Sequence, residues 1–140
     1  MSEMFEKSIR ILELPRVLEQ LAAQAVSEEA RDKARKLRPL TEREEVLRQL
    51  EQTDAARAMM GLQGSPNFAG LKSVTEALGR ADRCGMLNTR ELLDIAGVLR
   101  CSRRVKDYYN QDSRSKTAID HLFDSLHTNR YLEDKITDAI

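Results

Sequence analysis

Apolar residues recur at intervals of three and four positions along nearly the whole chain, and this spacing restricts the fold most strongly. After Pro15 the repeating residues are Val17, Leu18, Leu21, Ala22, Ala25 and Val26. Such spacing lines apolar side chains along one side of an α-helix. Strand-like alternation is suggested only over residues 8–14. The sequence therefore predicts an all-α fold, an elongated multi-helix bundle that forms a single domain over residues 1–140.

Three residues near the start of the chain indicate where helices begin and end. Pro15 suits the first turn of a helix, where its missing N–H would have no partner. Ser27 can cap a second helix, whose start is acidic and whose end is basic. Pro39 then ends that basic run. We expect two short helices before residue 40.

Two further helix starts carry the pattern of a capping box. Thr41 is followed three residues later by Glu44, and Asn88 is followed by Glu91. In a capping box each side chain accepts a hydrogen bond from a backbone N–H of the other residue. The first box would open a helix over about residues 42–62, roughly 31 Å long at 1.5 Å per residue.

The C-terminal part of the sequence predicts two more helices after a loop. Residues 110–117 are polar and break the periodicity, so we expect a loop there. The helical pattern resumes with Ile119, Leu122 and Phe123. It returns from Tyr131 and is still periodic at Ile140, which we interpret as a truncated helix in a piece of a longer protein.

The stretch GLQGSPNFAGLKSV, residues 61–74, is the one place where the sequence changes character. Its glycines suggest a phosphate-binding loop, but it lacks the GK[ST] signature and no buried strand precedes it. Pro66 and the glycines instead suit a connection between helices. We expect Phe68 to pack against those helices, with contact to a partner as the alternative.

Composition excludes several classes of protein. Lys plus Arg and Asp plus Glu both total 23, and this balance argues against a protein that coats DNA. No apolar run approaches the roughly 18 residues of a membrane span, and no secretory signal is visible. Cys84 and Cys101 have no CxxC spacing, so we expect reduced thiols in a cytoplasmic protein.

Few residues suggest a chemical site. His121 and His127 are six positions apart and cannot share a metal from one helix face, and the two cysteines have no obvious activating base. We therefore predict no catalytic, cofactor-binding or metal-binding residue. Ordinary surface histidines and structural cysteines are the expected roles.

One basic cluster is a candidate for contact with nucleic acid. Arg100, Arg103 and Arg104 stand at positions i, i+3 and i+4, Lys106 follows, and two tyrosines come next. Such a face could hold phosphates while a tyrosine stacks on a base. Charge compensation at the helix C-terminus is the alternative, and it also fits the basic segment at residues 31–38.

An ordered series of short motifs carries a family resemblance. In order they are LE at 12–13, VLEQLA at 17–22, LRP at 37–39, QTDA at 52–55, GSP at 64–66, FAGL at 68–71, ALGRA at 77–81, GML at 85–87 and ELLDIA at 91–96. The chain resembles the N-terminal region of the second bacterial MutS subfamily, MutS-like proteins with a C-terminal Smr nuclease domain. The match is good over about residues 8–107. Cys84-Gly85 departs from it, because paired glycines are expected there.

The resemblance implies a function for the whole protein rather than for this region. It implies part of a MutS-type core domain, in a dimeric ATPase that binds branched DNA and suppresses recombination, or that acts in DNA repair or ribosome rescue on stalled ribosomes. ATP with Mg²⁺ and the endonuclease activity would belong to other domains, because no P-loop or Smr motif occurs in this sequence. We therefore expect a non-catalytic helical core region that couples the ATP state to the DNA clamp.

Two other classes of function remain open at the level of sequence. One is a free-standing helical module that binds a protein partner through an apolar surface. The other is a small all-α enzyme of the chorismate-mutase kind, in which arginines from several helices hold a dicarboxylate. The second fits less well, because the arginines here fall near helix ends.

Overall fold

The computed structural model describes residues 3–111 and 116–140. Within these ranges the chain forms eight α-helices and no β-strand, so the predicted all-α class is confirmed. The helices are α1 (Glu3–Ile11), α2 (Leu14–Gln24), α3 (Glu28–Arg35), α4 (Arg43–Gln63), α5 (Thr75–Asp82), α6 (Thr89–Asn110), α7 (Asp120–Asp124) and α8 (Arg130–Ala139).

Two compact units divide the chain, Met1–Pro39 and Leu40–Ile140. Each unit has its own buried residues and its own helix packing, and each is described by itself below. The expectation of a single domain over residues 1–140 stays a prediction.

The first unit is built around the contact of α2 with α3. Its buried side chains are Leu18, Ala22 and Ala34, which lie on the facing sides of these two helices. Pro15 lies in the first turn of α2, as predicted. The Ser27 hydroxyl accepts a hydrogen bond from the backbone N–H of Ala30 at 3.1 Å and caps α3, which confirms the predicted start. Ala22 and Ala34 have small side chains, which let α2 and α3 approach closely.

The suggestion of a strand over residues 8–14 is wrong. Residues up to Ile11 belong to α1, and the backbone N–H of Leu12 still donates to Ser8 O at 2.9 Å. The described residues offer no neighbouring strand, so only helical bonds can satisfy these backbone groups. The chain turns at Glu13, whose φ of 53° is left-handed, and α2 begins at the next residue.

The second unit is built around α6, which packs against α8 and more lightly against α7. The buried apolar side chains of this unit are Met59, Ala77, Ala96, Cys101, Val105, Ile119 and Ile136. The predicted helices after residue 118 are α7 and α8. The predicted loop at 110–117 includes residues 112–115, which lie outside the described residues.

The predicted capping box at Thr41 and Glu44 is wrong, although the long helix itself is present. Helix α4 begins at Arg43 with Glu42 as its N-cap, and no side chain caps it. A capping box needs its threonine at the N-cap and its glutamate at the third helical position. Thr41 precedes the N-cap by one residue, so both partners are out of register.

Helix α5 ends in a Schellman motif whose left-handed position is occupied by Cys84. The backbone N–H of Gly85 donates to Arg80 O at 2.8 Å, and that of Cys84 donates to Ala81 O at 2.9 Å. Cys84 has a φ of 60°, where glycine is the usual residue. A Cβ on Gly85 would lie 2.9 Å from Arg80 O. Glycine at position 85 is therefore required by the close backbone contact. Glycine at position 84 would only be preferred for its left-handed conformation.

Replacing Cys84 with glycine is expected to raise the free energy of unfolding by about 1 kcal/mol, because glycine adopts the left-handed conformation without the Cβ penalty. Urea denaturation followed by circular dichroism measures the change. Cys84→Ala is the matched control, since it removes the thiol and keeps the strained conformation. An equal gain from both variants would contradict this explanation.

Candidate nucleic-acid interface

The candidate face lies on α6, which starts at a complete capping box. The Asn88 side chain accepts from the backbone N–H of Glu91 at 2.9 Å, and the Glu91 carboxylate accepts from the backbone N–H of Asn88 at 3.0 Å. This confirms the second predicted helix start. Arg80 also donates to the Glu91 carboxylate, and this bond is the largest cause of the lowered pKa of Glu91. Both ends of the connection between α5 and α6 are thereby held in place.

Arg100 and Arg103 converge on a single carboxylate, that of Glu133 in α8. Arg100 Nε donates to Glu133 Oε1 at 2.9 Å. Arg103 donates twice, from Nη2 to Oε1 at 2.9 Å and from Nε to Oε2 at 3.2 Å. Glu133 is only 3% exposed, whereas 46% of the Arg100 side chain and 33% of the Arg103 side chain remain exposed. Both guanidinium groups therefore pair with a buried anion and still reach solvent.

The electrostatics of Glu133 are set by these two arginines. The hydrogen bond from Arg103 is the largest cause that lowers the pKa of Glu133; burial opposes it, and Arg100 lowers the pKa further. The same contact raises the pKa of Arg103. Glu133 is consequently an ionised carboxylate at neutral pH in spite of its burial.

The other two predicted contact residues, Arg104 and Lys106, bind backbone carbonyl groups instead of a carboxylate. Arg104 donates to Ala69 O in the connection between α4 and α5, and its Nε is buried without a hydrogen-bond partner in the part of the chain that the structure describes. Lys106 Nζ donates to Leu126 O at 3.1 Å, between α7 and α8. Arg104 thus points to one neighbouring segment and Lys106 to another.

The tyrosines at the end of α6 are used inside the unit. Tyr108 donates its hydroxyl to Gly64 O at 2.6 Å. The Tyr109 ring stacks on Phe123 of α7, with centroids 4.5 Å apart and 11° between the ring planes. Burial and the nearby Asp120 raise the pKa of Tyr109. The face of the Tyr109 ring that Phe123 covers is therefore not available for stacking on a base.

The connector between α4 and α5, residues 64–74, lies along α6 rather than forming a phosphate loop, and residues 61–63 are the end of α4. Three side chains of α6 approach its carbonyl groups: Tyr108 at Gly64, Cys101 at Asn67 and Arg104 at Ala69. Where the two backbones pass, a Cβ on Gly97 would lie 3.1 Å from Gly70 O. The carbonyl oxygens of the connector therefore face a guanidinium, a thiol and a hydroxyl donor, whereas an anion site presents backbone N–H groups.

Phe68, which we expected to pack against the helices, is only partly covered, and its packing stays a prediction. Its side chain remains 37% exposed. The connector is held by the hydrogen bonds of its carbonyl groups. The backbone N–H of Ala69 adds a bond to the Asn67 side chain at 2.8 Å. The polar contacts of the main chain leave the aromatic ring partly in solvent.

Glu133 is the residue of this site that sequence analysis missed. A weak signal exists, because Glu133 shares a helix face with Ile136 and Ile140 at i+3 and i+7. An acidic residue within an apolar stripe often indicates a buried ion pair. The identity of its partners could not be read from the sequence, since they lie 30 and 33 positions earlier.

The remaining candidate residues have ordinary surroundings. Cys101 is buried, as expected, and Cys84 is exposed. His121 and His127 are exposed, and the described residues contain no group of three or more potential metal ligands. No helix within the same ranges is long and apolar enough to cross a membrane.

The second basic segment, residues 31–38, is likewise engaged within its own unit. Arg35 donates to both carboxylate oxygens of Glu19, at 3.0 and 3.1 Å, and also contacts Glu28 and Asp32. Arg31 Nε donates to Ala25 O at 3.2 Å. These contacts tie α3 to α2.

Comparison with known proteins gives a consistent relationship. The chain is 35% identical over 98% of its length to a protein named endonuclease MutS2 from Ruminiclostridium cellulolyticum, 34% identical over 95% to one from Acetivibrio thermocellus, and 33% identical over 83% to one from Bacillus velezensis. No family model matches the chain.

The chain spans only 15–18% of the length of these relatives. The alignment nevertheless includes nearly every residue of the chain. The predicted relationship is confirmed: the chain belongs to the endonuclease MutS2 family, the second bacterial MutS subfamily.

Proposed function

We propose that this chain forms a non-catalytic helical core region of a MutS-like ATPase that acts on branched DNA or on stalled ribosomes. The observation that supports the proposal is the 35% identity to an endonuclease MutS2 over 98% of the chain. In this role the region would pass the ATP-dependent state of the protein to a DNA clamp and suppress recombination. ATP, Mg²⁺, nuclease chemistry and dimerisation would be supplied by other parts of a protein the length of those relatives.

Helix α6 is the element of this region best suited to contact phosphates. It carries Arg100, Arg103, Arg104 and Lys106 within two turns of one helix. Arginine binds phosphate through paired N–H groups, and the exposed fractions of Arg100 and Arg103 leave donors available. The charge balance of the whole chain favours a local contact of this kind over a broad basic surface.

A protein-interaction module is the alternative function, and the exposed apolar side chains favour it. Ile11, Leu12 and Leu62 are 69%, 75% and 73% exposed. Large apolar side chains in such number at a surface are typical of protein contacts. A protein partner in place of nucleic acid would then define the role of the region.

Binding to a four-way DNA junction, compared with a linear duplex of equal length, tests the main proposal. We expect the purified chain to bind the junction more tightly than the duplex, and cosedimentation with ribosomes tests the other target. Binding to neither nucleic acid nor ribosomes would reject the proposal in favour of the interaction module.

The contribution of the α6 face is testable from the salt dependence of junction binding. Changing Arg100, Arg103 and Arg104 to glutamine is expected to lower the slope of log K against log salt by about two to three, because each phosphate that is no longer neutralised removes about 0.9 from the slope. Glu133→Gln is included in the same variant so that no buried carboxylate is left without its cations. The measurement is fluorescence anisotropy at several salt concentrations.

The matched control is the double variant Arg48→Gln with Arg57→Gln on α4. Those side chains are 63% and 83% exposed and pair only with neighbours on their own helix. Both variants change the net charge by −2, because the first loses three cations and one anion. An equal reduction in slope from both would assign the effect to overall charge and not to α6.

A further inference from the structure

One segment of the chain contacts most of the cationic side chains of α6. Residues 126–137 provide acceptors to three of the four candidate cations: the Glu133 carboxylate to Arg100 and Arg103, and Leu126 O to Lys106. The same segment accepts from Ser102 Oγ through His127 O at 3.1 Å. The contacts come from α8 and the residues just before it, so a movement of this segment would release all three cations.

The Glu133 carboxylate occupies the position that a phosphate would need. Its two oxygens accept from both Nε and Nη2 of Arg103, which is the paired geometry that arginine also uses for phosphate. Because Glu133 is 3% exposed and accepts from both guanidinium groups, an anion at the same position has to replace it. A phosphate and Glu133 therefore exclude each other at this position.

Helix α8 makes the main helix contact with α6 in this unit, and two of its residues are buried. Its buried residues are Glu133 and Ile136, while Tyr131 is 73% exposed and Leu132 is 39% exposed. The backbone of α8 is satisfied by its own helical bonds and by the Asn129 side chain, which accepts from the backbone N–H of Leu132 at 3.0 Å. The helix can thus move away from α6 and keep its internal hydrogen bonds.

We propose that α8 is an autoinhibitory cover, in which Glu133 acts as an internal substitute for a nucleic-acid phosphate on Arg100 and Arg103. Binding of a phosphate backbone displaces Glu133, and α8 moves off the face. This inference rests on the proposed function, since it names the regulation of the same α6 surface. The affinity of the unperturbed chain for nucleic acid is then lower than the affinity of the open face by the cost of displacing α8.

Glu133→Gln tests the cover, with Asp134→Asn as the matched control. Each variant removes one negative charge from α8, but the Asp134 side chain is 59% exposed, forms its ion pair with Arg130 of the same helix, and has only a minor electrostatic effect on Arg103. We expect Glu133→Gln to tighten binding to a four-way DNA junction about tenfold, whereas Asp134→Asn changes it less than about twofold. Equal effects from the two variants would overturn the cover.

Hydrogen exchange of the unaltered chain gives a second measurement that does not depend on the folding of a variant. Saturating junction DNA is expected to speed exchange of the backbone amides of residues 126–137, while the amides of α6 stay protected, because a ten-residue helix that has lost its contact with α6 opens more often. Unchanged or slower exchange there in the bound state would overturn the cover and leave the proposed function standing. No junction binding by the unaltered chain or by folded Glu133→Gln would instead reject both.

Discussion

Replacing Leu18 with alanine is expected to unfold the Met1–Pro39 unit at room temperature. Leu18 is 8% exposed and is the one large side chain among the buried residues from residue 6 to Pro39, where the structure describes side chains; the others are Ala22 and Ala34. A buried leucine contributes about 3 kcal/mol relative to alanine, because the substitution removes both its transfer from water and its packing. A unit of fewer than about 40 residues has little stability in reserve. The expected loss therefore exceeds what the remaining core can supply.

Hydrogen exchange measured by mass spectrometry on peptides from α2 and α3 reads this out directly. In the Leu18→Ala variant these amides are expected to exchange at rates close to those of an unfolded chain. Leu21→Ala is the matched control, with the same substitution on the same helix at a side chain that is 47% exposed. We expect it to change the free energy of unfolding by less than about 1 kcal/mol. Similar exchange in both variants would show that the buried position of Leu18 is not what holds α2 and α3 together.

Replacing Glu133 with alanine is expected to lower the free energy of unfolding of the second unit by about 2–3 kcal/mol at pH 7. Removing one member of a fully buried ion pair costs about 3–5 kcal/mol, because the remaining charge is left without a partner. The cost here falls somewhat below that range, since Arg100 and Arg103 are partly exposed and can turn toward solvent. Urea denaturation followed by circular dichroism measures it, and Asp134→Ala on the exposed side of α8 is the control.

The pH dependence of this stability has a definite sign. The pKa of Glu133 is lower in the folded chain than in the unfolded chain, chiefly because of Arg103. The stabilisation is therefore complete above the unfolded pKa, at about pH 4.3, and is lost as the pH falls through the lower folded value. We expect the difference between the original chain and Glu133→Ala to shrink on acidification below about pH 4. A difference that stays constant down to about pH 2 would contradict an ionic origin.

The capping boxes illustrate how far local sequence predicts structure. The pairs Thr41 with Glu44 and Asn88 with Glu91 have the same spacing, yet only the second forms a box. The residues around Asn88 enter α6 with Asn88 at the N-cap, and Glu91 receives additional support from Arg80. The segment after Pro39 enters α4 one residue later than its motif suggests. A cap motif predicts that a helix begins nearby, whereas the path of the preceding chain selects the first residue.

The candidate site shows the same division between local and distant information. The spacing of Arg100 and Arg103 correctly predicted that they share a helix face, because i and i+3 side chains are neighbours on any α-helix. Their common partner, Glu133, lies in α8, and the contact requires the chain to return past α7. Nothing in the periodicity of either helix specifies that return. The nucleic-acid role of these residues stays a prediction that the binding experiments address.

The sequence by itself determined the helical class, the starts of α2, α3 and α6, and the family, because these depend on neighbouring residues and on the order of motifs. Only the tertiary structure decided how the charged residues are used. It placed a buried carboxylate between two arginines, laid the connector at residues 64–74 along α6 and left the Phe68 ring 37% exposed. Charge pairing and burial depend on which helices meet, and these contacts join residues 30 or more positions apart. Local spacing cannot encode that separation.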